Sequence, residues 1–130
     1  MPLKIKSQET QNVTKLSGKK RYQYFIKKVT DSGHIWGLYN DGWALAGDEG
    51  GEKFIPLWPS KEYASLCAIQ QWKGYNPECV DLHEFLNEHL NELIENSIKI
   101  AVFYTPQDKG VIPTYEQFKK DLCEELSRIE

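Results

Sequence analysis

A chain of 130 residues, 40% hydrophobic and 27% charged, is long enough to bury one core and too short for two ordinary domains. Its longest clean apolar run, residues 100–104, falls far short of a membrane-spanning helix. Three well-separated cysteines with no Cys-x-x-Cys pair argue against an extracellular disulfide framework and a paired-thiol zinc site, and favour a reducing compartment.

The net charge of −3 is unevenly spread. Residues 1–30 hold eight basic residues against Glu9 alone, a balance of +7, which leaves −10 for residues 31–130. A basic arm invites a nucleic-acid reading, but most of these charges sit at positions that solvent would reach anyway, so the expectation is no nucleic-acid partner. Met-Pro-Leu-Lys-Ile-Lys at the start lacks the apolar core of a signal peptide, so the expected location is the cytoplasm.

In chain order, residues 1–16 are polar and without periodicity, which predicts a mobile arm ahead of one domain over 17–130. Ser17 can cap a first helix over about 18–30, with Tyr22, Phe25, Ile26 and Val29 on one face and Gly33 as terminator. The stretch 35–59 then organises the chain. It holds Trp36, Trp43 and Trp58, with Asn-Asp-Gly at 40–42 between apolar runs, the pattern of an antiparallel hairpin or meander. Strands are expected at about 34–39, 43–46 and 53–58. Both faces of the first are apolar, so it should be covered on both sides or central, with at least one of Trp36 and Trp43 in the core. Pro56 cannot donate to a ladder, which puts the third strand at an edge or makes it bulge. The loop 47–52 is glycine-rich but carries three acids and leads into a strand, unlike a phosphate cradle.

Ser60 should cap a helix over about 61–72. A turn at 73–77 and a short strand at 79–82 follow. Asp81-Leu-His-Glu84 matches a capping box for a helix over 82–95, whose apolar stripe includes Leu82, Phe85, Leu86, Leu90 and Leu93. Glu84, Glu88, Glu92 and Glu95 gather on its far side. Residues 98–104 read as a buried strand containing Phe103, and 111–112 as a short one. A last helix after Thr114 carries Phe118, Leu122 and Leu126 at helical spacing. The sum is a single α+β domain, about four helices on a mixed sheet, with Phe25, Trp36, Trp43, Leu86, Leu90, Phe103, Phe118 and Leu122 as core.

No catalytic constellation emerges. His83 and His89 are six apart, about 240° on a helix, and cannot share a metal face. His89 lies inside the apolar stripe and reads as a partly buried core histidine. Cys67 and Cys123 sit beside apolar helix faces and read as core thiols. No metal or cofactor is expected.

The residues Tyr24-Phe25, Ile35-Trp36-Gly37-Leu38, Gly42-Trp43-Ala44, Pro56-Leu57-Trp58-Pro59, Trp72-Lys73-Gly74-Tyr75, Val102-Phe103 and Thr105-Pro106 together resemble a bacterial family catalogued as domain of unknown function 2750. The resemblance runs from about residue 20 to the C-terminus. It implies a small cytoplasmic single-domain protein and supplies no functional residue to carry over.

Two functions suit these features. The first is a non-catalytic interaction module, of the kind that neutralises a basic protein as immunity proteins do, using Glu84, Glu88, Glu92 and Glu95 with Tyr39 and Trp58 as apolar anchors. The alternative is a small-molecule module using a cleft beside the tryptophan element. No oligomeric state is implied.

Overall fold

The computed structural model describes residues 12–108 and 110–129. Helix α1 spans Gly18–Ser32, with the Ser17 hydroxyl accepting from the Lys20 amide and Gly33 closing the helix in the left-handed region at φ 78°. Its Phe25, Ile26 and Val29 are buried. Phe25 meets Phe118 of α4, Tyr115–Ile129, at 5.9 Å between ring centroids. Tyr22 donates from its hydroxyl to the Asp121 carboxylate at 2.5 Å.

The predicted arm is packed where it is described. Val13 is buried, and the Leu16 carbonyl accepts from Arg21 Nη1 at 2.6 Å. Arg21 is not one of the solvated charges either, since its side chain is 4% exposed and its Nη2 donates to Asp108 at 2.6 Å. The arm's earlier residues lie outside the described ones.

The strands form a mixed arrangement, as expected for the α+β class. β1 (His34–Tyr39) pairs antiparallel with β4 (Asn76–Asp81) over six residues, from His34 opposite Asp81 to Tyr39 opposite Asn76. β2 (Ala46–Gly47) pairs antiparallel with β3 (Lys53–Leu57), which pairs parallel with β5 (Ile98–Val102). The antiparallel tryptophan-rich element is present: Tyr39 bridges Trp43 across the Asn-Asp-Gly turn and Trp36 bridges Trp58. The long partner of β1 is nevertheless β4, and of residues 43–46 only Ala46 lies in a strand, β2. What 73–82 was expected to make as a turn and a short strand is mostly this six-residue β4.

Trp36 and Trp58 exchange both backbone hydrogen bonds, at 3.0 and 2.8 Å, and so join the two sheets. β1 and β2 therefore follow the same side of β3. The register that sets Ala46 opposite Phe54 would bring residue 42 opposite Trp58, where Trp36 stands instead. Six residues are thus looped out between the two pairings. Pro56, on the same side of β3 as Phe54 and Trp58, faces that interruption, where no donor is needed. β3 is consequently internal, and its proline falls at the gap rather than at a sheet edge.

Helix α2, Lys61–Leu66, stops well short of the expected residue 72, and Ser60 makes no side-chain cap bond. Gln70 turns to φ 52° and a 3₁₀ turn, Gln70–Trp72, carries Trp72 inward. There its ring stands edge-on to Trp58 and Tyr104, with centroids 6.1 and 5.2 Å away. Burying an indole removes on the order of 150–250 Å² from water, several kcal/mol at roughly 25 cal/mol/Å². That outweighs the few tenths of a kcal/mol per residue that helix propensity contributes.

Helix α3 comprises Leu82–Glu84, a π-helical turn Phe85–His89 and Leu90–Glu95. Asp81 caps it, accepting from the Glu84 amide at 3.1 Å, and the Leu90 amide reaches back to the Phe85 carbonyl. Of the predicted core, Phe25, Leu86, Leu90, Phe103, Phe118 and Leu122 are buried. Trp36 and Trp43 are only half-buried against it, and the fully sequestered indole is Trp58. Cys67 is buried as expected, but Cys123 is exposed, like Cys79.

Candidate functional site

Between α3 and one face of the sheets lies a cleft of about 330 Å³. Its floor is Ile35 and Gly37 of β1, Ile55 and Leu57 of β3, Val80 of β4 and Ile98 of β5. These residues share a face because side chains alternate along strands and because Ile35 stands opposite Val80. The looped-out segment supplies one wall, Trp43 and Leu45, and α3 the other, with Phe85, His89, Glu92, Leu93 and Asn96 at its C-terminal side.

Gly37 shapes the indole wall. A Cβ there would lie 3.0 Å from Trp43 Cε3 and Cζ3, so only glycine lets the ring settle this close to β1. On its other contacts Trp43 meets Tyr39 edge-on, with centroids 5.1 Å apart. The ring thus touches both a strand backbone and a second aromatic.

The polar groups come from one helix and its C-cap residue, Asn96. Taking roughly 100° per residue, His89, Glu92 and Asn96 fall within about 60° of one another, and all three line the cleft. His89 is half-buried and stacks on Phe85, centroids 6.2 Å apart with 25° between planes. Among the described residues neither its ring nitrogens nor the Glu92 carboxylate has a hydrogen-bond or ion-pair partner. Asn96 donates one amide proton to the Glu92 carbonyl at 2.8 Å. The π turn lies along this wall, and such turns recur at functional sites.

The expected binding residues do not form one surface. Glu84, Glu88 and Glu95 are exposed on α3, and Glu92 belongs to the mouth of the cleft. Tyr39 is exposed and close to the cleft through Trp43. Trp58 is 0% exposed, its Nε1 donating to the Tyr104 carbonyl at 2.9 Å, and is unavailable as a surface anchor. His89 and Asn96 were absent from the sequence-based site, although their helical spacing with Glu92 was visible. His83 is exposed on α3, and among the described residues no group of three or more His, Cys, Asp or Glu side chains is placed to hold a metal ion. No helix of the described residues is long and apolar enough to cross a membrane.

The sequence profile of the protein of unknown function DUF2750 family matches residues 22–122. The chain belongs to that family. No curated protein matches it. The matched stretch holds every residue lining the cleft, so the site lies wholly within the DUF2750 domain. It also holds the Trp36–Trp58 bridge and the π turn, while Val13 and Leu16 precede it.

Proposed function

We propose that this DUF2750 protein is a small-molecule-binding module whose ligand occupies the cleft between α3 and the sheets. The observation that carries this reading is the cleft itself. Its volume of about 330 Å³ is at the lower end of the usual range for small-ligand sites, and mostly apolar walls with a few convergent polar groups are what such sites share. Two of those groups, the His89 ring and the Glu92 carboxylate, are unengaged among the described residues. An unligated polar edge beside an apolar hollow suits a molecule that brings both kinds of surface.

A basic protein partner for the acidic side of α3 has charge alone behind it. With Trp58 buried, Tyr39 is the single apolar anchor left from that scheme. Exposed charge without a desolvated anchor gives encounter rather than affinity. The exposed thiols of Cys79 and Cys123 suit a reducing bacterial cytoplasm, where we place the protein.

Titration with indole, a neutral apolar probe, tests the module. Saturable change in tryptophan emission is expected, together with amide shift changes confined to the cleft residues. Leu93→Trp, which fills the hollow from α3, should abolish both. Shift changes that map elsewhere, or binding unaltered in Leu93→Trp, would overturn the assignment.

A further inference from the structure

We infer that the ligand of this cleft is a small organic amine: an apolar body carrying an ammonium group. The inference rests on the ligand-module reading above and adds the charge of the ligand to it. It comes from the sign of the groups around the mouth. Among the described lining residues the charged side chain is Glu92, and neither lysine nor arginine is present. By strand alternation Lys53 shares the face of Ile55 and Leu57, but it is exposed at the start of β3 and does not line the cleft.

An anionic head would therefore meet a carboxylate with no counter-charge beside it. A neutral head would gain nothing from that carboxylate, which is exposed and stays with water. An ammonium group adds a charge-assisted hydrogen bond to it and finds further acceptors in His89 of α3 and in Asn96 at its C-cap. The indole of Trp43 lines the opposite wall, and indole faces are the best side-chain partners for a cation. The apolar floor of Ile35, Ile55, Leu57 and Ile98 then takes the body of the molecule.

Three probes with a phenyl body separate the possibilities: phenethylamine, 2-phenylethanol and 3-phenylpropionate, each titrated by calorimetry at low salt. The amine is expected to bind tightest. Glu92→Gln should weaken it roughly three- to fivefold, the scale of a solvent-exposed ion pair, and leave 2-phenylethanol unchanged. Glu88→Gln, on the outer side of α3, should alter neither. Added salt should weaken the amine alone. If the alcohol or the propionate binds as tightly as the amine, or Glu88→Gln weakens the amine as much as Glu92→Gln, the amine assignment fails and the cleft remains a binding site. If no probe binds, both readings fall.

Discussion

The Trp43 ring rests against the backbone of Gly37, with Cε3 and Cζ3 both 3.0 Å from the point a Cβ would occupy. This contact joins the looped-out segment to β1 and fixes one wall of the cleft. Gly37→Ala should therefore push the indole outward, at about 1–3 kcal/mol, the usual range for overpacking. Urea unfolding gives the stability loss. Tryptophan emission and indole affinity should change with it, which a substitution felt only by the core would not produce.

The indoles should rank by burial. Trp58 is fully enclosed and hydrogen-bonded through Nε1, whereas Trp36 is half-buried. Trp58→Ala should cost on the order of 3–5 kcal/mol, and Trp36→Ala clearly less. Equal losses in chemical denaturation would contradict the burial pattern.

Much of the local structure was legible. Ser17, Gly33 and Asp81 cap their helices as the sequence implies, and the stripes on α1, α3 and α4 turn inward. Each of these depends on residues within a turn or two of one another. The partner of β1 was not legible, because β1 and β4 are separated by the whole of β2, β3 and α2, and nothing local in the Asn-Asp-Gly turn says that its strands part after one bridge. The burial of Trp58 is not legible for the same reason, since its cover comes from Trp72 and Tyr104. The sequence does not bring the polar residues of the cleft together. A helical wheel shows which side of α3 is apolar and cannot show that Glu92, at the border, overhangs a hollow made by other elements.

Arg21 and Asp108 should respond unequally to removal. The guanidinium is enclosed while the carboxylate side chain is 50% exposed. Asp108→Ala strands a buried charge and also frees the Gly110 amide, which its Oδ1 accepts at 3.0 Å. Arg21→Met leaves a carboxylate that water can solvate. Asp108→Ala should lose on the order of 1–3 kcal/mol, with Arg21→Met losing less, as read from thermal or urea unfolding. The reverse order would show that the methylene packing of Arg21 outweighs its charge.

Burial pushes the Cys67 thiol up to about 12, against a smaller opposing pull from the nearby Trp58 N–H. An unfolded thiol ionises near about 8.5. Between those values the folded chain holds a proton that the unfolded chain has released, so stability falls as pH rises. The contribution is complete below about 8.5 and declines towards about 12. Tyr104, raised by burial and by the neighbouring Cys67 thiol, works in the same direction. Cys67→Ala should flatten part of the alkaline slope in unfolding measured across that window. At neutral pH, a thiol reagent should label Cys79 and Cys123 rapidly and Cys67 only on unfolding.

The paired amides of Trp36 and Trp58 are, among the described residues, the backbone link between the β1–β4 ribbon and the three-stranded sheet. Opened there, the ribbon could peel away as one cooperative unit, and native-state hydrogen exchange would show the boundary between two tiers of protection. The cleft takes Ile35 and Val80 from the ribbon and Ile55 and Ile98 from the other sheet. It exists only while the two are joined. A bound ligand is then a clasp across that seam, raising the protection of the β1 and β4 amides by as much as its own affinity allows.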